Sequence, residues 1–318
     1  MLVVGLVAVV AAYEAGRQTN AANPGTSTTP PAPVTSASPG STRPGTPSTS
    51  GVVQPGNPAT LSSCAFQQGL FKRECGIAAP PDVKPGERLP AVILLPGLGT
   101  GPVAIRDAGD WSNAAVRHRL LVVTPQGIAD SWNAGGCCAI AQATGVDDIG
   151  YLTKLLDQIA ARPDVDPSRI FMAGFSNGGM MTYRFLCSPA GSRLAGAASV
   201  SGTNVSGCDV AKALPFEHIH GTGDQVVPYN GGRSLASFVL GVTFPAVAAS
   251  MAEFARAEGC PNSSATSVVA SITYEDWTGC SGHSKVRFVT IPGATHDWPR
   301  GAPFDATDEL LRFFGIEA

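Results

Sequence analysis

A serine framed by glycines, Gly174-Phe175-Ser176-Asn177-Gly178, constrains this chain more than any other stretch. The short apolar run before it, Ile170-Phe171-Met172-Ala173, predicts a buried strand, and residues 179–186 predict a helix. A serine on a strand-to-helix turn is held in a strained, exposed backbone conformation. The flanking glycines let neighbouring backbone pass close by, and the helix N-terminus lies underneath. That geometry suits a nucleophile attacking a carbonyl. A Gly/Ser turn without chemistry is the alternative, because the bare pattern arises by chance, and the strand and helix around it favour the chemical reading.

Strand and helix patterns alternate from about residue 61 onward. Strands are predicted at 91–95, 120–124, 170–173, 194–200, 216–220 and 286–291. A helix is predicted at 147–161 from the spacing of Ile149, Leu152, Leu155, Leu156 and Ile159, and a closing helix at 304–314. This order implies an α/β fold with a mostly parallel central sheet flanked by helices.

Three segments are expected. Residues 1–19 carry an apolar run, Leu2 to Ala11, that is short of the roughly 20 residues needed to span a bilayer and reads as a signal peptide or N-terminal anchor. Residues 20–60 are rich in Pro, Ser, Thr and Gly, bury too little apolar surface to offset their ordering entropy, and read as a disordered linker. Residues 61–318 remain as one catalytic domain, within the size of a single α/β unit. Of the 318 residues only 14% are charged, and the net charge is −3, so no electrostatic footprint for nucleic acid is present. The expected location is extracellular, secreted or anchored at the cell surface, with N-terminal membrane association through the apolar run, and the default expectation is a monomer.

All eight cysteines fall in the last segment, and an even count in an exported chain reads as disulfides. Cys64 and Cys75 are placed to clip an N-terminal hairpin, and Cys260 and Cys280 to close the excursion between them. Closing such a loop of about 20 residues is worth roughly 3 kcal/mol in the chain-entropy treatment. Cys137 and Cys138 are adjacent, where a bond between neighbours is sterically poor. Each is therefore expected to reach a distant partner, with Cys187 and Cys208 available; the pairing is left open. No C-x-x-C or nearby His pair supports zinc, and no metal is expected.

A serine nucleophile needs a base, and the base needs an orienting acid. On this kind of sheet they follow in the order Ser, Asp or Glu, His. Asp224 follows the 216–220 strand in a Gly-rich turn, and His296 follows the 286–291 strand through Pro292-Gly293-Ala294-Thr295. With Ser176, both stand at the carboxyl ends of strands, where open α/β sheets bind ligands. The competing groups have blander readings. His218 and His220 share one face of a strand and read as packed core rather than a metal pair. His118 reads as surface and His283 as solvated loop. Asp147 and Asp148 read as helix N-terminal carboxylates, and Asp297 is too near His296 in sequence to orient it. Backbone N–H groups of Asn177 and of Leu98, in the loop Pro96-Gly97-Leu98-Gly99, are the expected oxyanion donors. That loop lacks the third glycine and the later acid of a dinucleotide fingerprint.

Several blocks resemble the esterase family of polyhydroxybutyrate depolymerases, carbohydrate esterase family 1 feruloyl and acetylxylan esterases, and LpqC-type proteins. They are residues 131–138 (Ser-Trp-Asn-Ala-Gly-Gly-Cys-Cys), 146–152, 174–180, 220–229 (His-Gly-Thr-Gly-Asp-Gln-Val-Val-Pro-Tyr) and 296–299 (His-Asp-Trp-Pro), in family order. The resemblance implies an α/β-hydrolase fold and carboxylic ester hydrolysis without a cofactor, with Ser176 as nucleophile, Asp224 as acid and His296 as base. Two residues depart from the family pattern: Pro96 stands in the usual Leu-His-Gly, and Asp297 stands where Thr is frequent. Trp132 and Trp298, in matching blocks, are candidates for substrate binding, their indole faces suiting an aromatic acyl group, a sugar or a polyester chain; packing is their other reading.

The sequence therefore points to a secreted serine esterase whose substrate is a small-molecule or polymer ester, either feruloyl or acetyl esters of plant polysaccharide or short-chain hydroxyalkanoate esters. The rival is a non-catalytic cell-surface protein that binds glycan on a hydrolase fold, which has no need of all three triad groups. A serine peptidase on the same fold is a third reading, disfavoured because the large gating domain such peptidases carry has no room here.

Overall fold

The computed structural model describes residues 58–69, 71–207, 212–261 and 264–316. The expected leader, all but the last three residues of the expected linker, and Cys208 lie outside the described residues.

The described strands are β1 (Thr60–Gln68), β2 (Phe71–Ala79), β3 (Leu89–Leu95), β4 (Leu121–Pro125), β5 (Val165–Phe175), β6 (Gly196–Val200), β7 (Phe216–Gly221), β8 (Ala265–Val269), β9 (Ile272–Trp277) and β10 (Val286–Ile291). They form one sheet in the order β1-β2-β4-β3-β5-β6-β7-β10-β9-β8. The six from β4 to β10 in that order run parallel, with antiparallel hairpins at both edges. Strands β3, β4, β6 and β7 are buried along their whole length. That is why β3, β4 and β6 read as unbroken apolar or small-residue runs rather than as alternation, whereas β7 also carries the buried polar Glu217, His218 and His220.

Helices cover both faces. Ile93, Leu121, Met172 and Phe216 pack on one side beneath α4 (Asp148–Ala160), α5 (Asn177–Leu186) and α7 (Val247–Ala257). The helices α1 (Pro102–Ala108), α2 (Trp111–Arg117) and α8 (Ala306–Phe313) lie against Leu94, Val122, Ala173 and Ile219 on the other. Two shorter helices, α3 (Ala139–Ala143) and α6 (Leu235–Leu240), stand over the carboxyl edge. The expected start of α4 is set by Asp147, whose side chain accepts the Gly150 N–H. Asp148, in the first turn of α4, is buried and paired with Arg73 at 2.7 Å rather than serving as a helix cap.

The chain runs from β3 outward to β4, then returns to β5 on the other side of β3. The crevice beyond the carboxyl ends of β3 and β5 is thus the topological switch point, where this architecture leaves room for a ligand.

The disulfides correct one expectation. Cys64–Cys75 joins directly paired residues of β1 and β2, and Cys260–Cys280 ties the end of α7 to the end of the β8–β9 hairpin. Cys187 is also disulfide-bonded. Cys137 and Cys138, however, are joined to each other instead of to distant partners. The expectation assumed a trans peptide with neighbouring Cα atoms about 3.8 Å apart; here the peptide is cis and they lie 3.1 Å apart.

One buried carboxyl leaves a pH signature on stability. Glu258, which caps α7, accepts the Leu214 N–H at 2.8 Å and the Ser284 hydroxyl at 3.2 Å. Burial outweighs these bonds and pushes its pKa up to about 7. A folded-state pKa above the unfolded one gives stability that is full below the unfolded value and is lost as pH rises through the folded value. Over pH 4.5 to 7 this group therefore costs about 3 kcal/mol. Glu258→Gln keeps the amide acceptor without the charge. Its unfolding midpoint should exceed that of the wild type at pH 8 and match it at pH 4.5; equal midpoints at both would exclude this role.

Candidate active site

Strand β5 ends at Phe175, and α5 begins at Asn177, leaving Ser176 alone on the turn with φ 53° and ψ −120°. Its N–H donates to the Val200 carbonyl and its carbonyl accepts from Met180, so both sides of the turn are pinned. The glycines are required by close approach: a Cβ on Gly178 would run into the carbonyls of Leu95 and Pro96, and one on Gly174 into Gly178. The strand, the helix and the β3 loop can meet at this distance only without side chains there.

The structure brings the three candidates together. His296 Nε2 lies 2.9 Å from Ser176 Oγ, and His296 Nδ1 lies 2.7 Å from Asp224 Oδ2. All three are buried to within a few per cent. Asp224 Oδ1 accepts the N–H groups of Val226 and Val227, both at 2.8 Å, which fixes the carboxylate plane. Burial alone would raise the Asp224 pKa, but the bonds to His220 and His296 outweigh it, holding the carboxyl well below the usual range. An acid so held stays ionised and keeps the imidazole oriented. Phe175 packs its ring 5.0 Å from that of His296. Asp297 accepts from the Thr295 hydroxyl.

Leu98 and Asn177 line the same cleft as Ser176 and His296. Sequence reasoning did not foresee what holds their two loops. The Asn177 side chain clamps the Trp132 backbone twice, accepting its N–H at 2.8 Å and donating to its carbonyl at 3.1 Å. Trp132 in turn donates its indole N–H to the Pro96 carbonyl. Trp132 has no exposed surface, so it is a brace under the β3 loop and not a wall for substrate. The ring type was visible in the sequence; its direction was not. Trp298 is mostly buried, donates to Thr307 and packs edge-on to Phe175, yet one face borders a groove beside His296.

His296 divides two cavities. On its Leu98 and Asn177 side, a cleft of about 30 Å³ is closed by Met180, Val227, Leu240 and Phe244. On the other, a groove of about 90 Å³ runs past Phe175 and Trp298. His118, expected on the surface, is half-buried near Asp308, its pKa lowered by burial and by Arg117. His218 and His220 are core groups, as read from the sequence. The side chain of His283 lies outside the described residues.

Residues 83–244, just over half of the chain, match the Phospholipase/Carboxylesterase family. Feruloyl esterase B of Piromyces equi is 32% identical over 194 residues, which are 58% of this chain and 35% of that protein. A probable feruloyl esterase C of Aspergillus clavatus is 29% identical over 204 residues, 61% of this chain and 63% of that protein. The chain thus spans between a third and two thirds of these relatives' own length. Among solved structures, acetyl xylan esterase from Aspergillus awamori matches with a TM-score of 0.59 over 81% of this chain and 99% of that one, at 12% identity, a likeness of fold.

Proposed function

The chain belongs to the phospholipase/carboxylesterase family, and from that premise we propose that it is an exported serine esterase for carboxylic esters with short acyl groups. The observation that carries this reading is the continuous contact from Ser176 through His296 to Asp224 at the switch point of the sheet. Ser176 attacks the ester carbonyl as His296 takes its proton, and Asp224 stabilises the imidazolium that forms. The N–H groups of Leu98 and Asn177 receive the developing oxyanion. His296 then returns the proton to the departing alcohol, leaving an acyl group on Ser176, and a water activated by the same imidazole removes it.

The cavities orient the substrate. The acyl group extends into the narrow cleft beside Leu98, closed by Met180, Val227, Leu240 and Phe244, a setting that suits a small acyl group. The alcohol leaves toward His296 and the groove bordered by Phe175 and Trp298, where aromatic faces suit a sugar. The likeness to feruloyl esterases supports ester chemistry on such alcohols, and the narrow cleft favours the smaller acyl groups. Export fits the disulfides, which persist in oxidising compartments.

A fluorophosphonate probe and an ester panel test this reading. Ser176 should be labelled, and kcat/KM should fall from acetylated sugars through butyryl esters to methyl ferulate. Absence of labelling would return the chain to the glycan-binding alternative, and a preference for ferulate would overturn the acyl assignment.

A further inference from the structure

Beneath the triad lies a second set of buried polar side chains that ester hydrolysis as described leaves without a task. His218 and His220 project from β7 on the side covered by α5 and α7, and both are buried, as is Tyr183 of α5. The Tyr183 hydroxyl is 2.8 Å from His218 Nδ1, and His218 Nε2 is 3.0 Å from His220 Nδ1. His220 Nε2 is 2.9 Å from the Val227 carbonyl and 3.3 Å from Asp224 Oδ2. The two imidazole planes are nearly parallel, at 1°.

Chemistry fixes where the protons are. A carbonyl and a carboxylate only accept, so His220 Nε2 carries its hydrogen. With both rings neutral, His220 Nδ1 accepts from His218 Nε2, and His218 Nδ1 accepts from the Tyr183 hydroxyl. Every donor in the series then points toward the Val227 carbonyl and the neighbouring Asp224 carboxylate. Burial, and then the neighbouring His220, lower the His218 pKa well below its ordinary value, which keeps that ring neutral.

We propose that Tyr183, His218 and His220 form a one-directional hydrogen-bond chain whose last N–H is shared between the Val227 carbonyl and Asp224, with His220 the positioning residue for the acid of the triad. The inference rests on the esterase reading and adds a function for groups that reading leaves idle. Backbone N–H groups hold Asp224 Oδ1, so Oδ2 is the oxygen that His296 uses, and the single His220 N–H, whose shorter bond is to the Val227 carbonyl, lies 3.3 Å from it as a second, shared contact. Sharing Oδ2 between two N–H groups draws charge from it and limits how strongly it favours the imidazolium of His296. Other groups facing this site are Tyr229, whose ring is 6.1 Å from that of His220 and whose hydroxyl bonds Thr290, and Met251 of α7, beside the Tyr183 hydroxyl. Glu217 points to the opposite face of the sheet, as alternation along β7 requires.

His220→Leu removes the second donor, and His220→Gln restores an N–H near the same place. In the Leu variant the acid limb of the kcat/KM profile for an acetyl ester should move up by about half to one pH unit. kcat should fall about tenfold with KM within about twofold, because Asp224 loses a contact that fixes Oδ2 in line with His296, an effect on orientation that outweighs its greater charge. The Gln variant should return the limb toward wild type. An unmoved limb in the Leu variant, or identical limbs in both variants, would overturn the proposal. Nitrogen-15 NMR of the wild-type protein is a second test that does not depend on any variant folding: His220 should be protonated at Nε2 and not at Nδ1, and the reverse tautomer overturns the chain. Fluorophosphonate labelling of wild-type Ser176 is read in parallel; its failure removes the esterase reading, whereas a wrong tautomer with intact labelling removes only this inference.

Discussion

Ser176→Ala lowers kcat/KM for an acetyl ester by about 10⁵-fold, with stability within about 1 kcal/mol of wild type. On the proposed mechanism the loss is large because the reacting hydroxyl, 2.9 Å from His296 Nε2, is gone. The fold survives because the turn is held by backbone: Ser176 N–H to Val200 and Met180 N–H to Ser176 do not involve the side chain. Alanine meets the same positive φ that serine tolerates here. Asp224→Asn separates the parts further. The amide oxygen takes the Val226 and Val227 N–H groups, which turns the NH₂ toward His296 and His220 and opposes donors to donors. His296 answers by flipping its proton to Nε2, where it can no longer accept from serine, and the rate falls by about 10⁴-fold. Kinetics on both variants with unfolding curves checks this; activity retained in Ser176→Ala would end the nucleophile assignment.

The central strands and the candidate triad were legible because each obeys a local rule. Strands β3 and β4 are apolar throughout because helices cover both faces, and Ser176, Asp224 and His296 each follow such a strand through a short loop. The edge of the sheet was not legible. All five residues of β8 are exposed, and β1 has no residue fully buried, so neither carries a buried apolar face for the sequence to reveal. Direction was also hidden. Trp132 and Trp298 occur in similar contexts, yet one is sealed against Pro96 and the other borders a groove. His220 was read correctly as core, but its four-residue spacing from Asp224 across a tight turn was the overlooked sign that it reaches the carboxylate.

Arg73 is the deepest thing the sequence did not disclose, and Arg73→Met should destabilise the protein by about 3–5 kcal/mol at neutral pH. The guanidinium lies on β2 with no exposed side chain, 2.7 Å from Asp148 and 3.8 Å from the centre of the Tyr151 ring. Methionine fills much of the volume but leaves Asp148 buried without its cation. Asp148 also accepts the Asn133 N–H at 2.8 Å, and the next residue back is Trp132, which the Asn177 side chain grips beside Ser176. Loosening this support should therefore lower activity as well as stability. The sign with pH follows from burial, which already raises the Asp148 pKa against the opposing pull of Asn133 and Arg73. Without Arg73 that pKa rises further. A raised folded-state value means stability is kept at low pH and lost as pH climbs through it, so the penalty should be greater at pH 8 than at pH 4.5. Arg73→Met combined with Asp148→Leu removes the stranded charge and should recover most of the loss, since two apolar residues in place of a buried pair are often neutral or better. Urea unfolding of the single and double variants at both pH values measures this, and a penalty independent of pH would show that packing, not the charge, accounts for it.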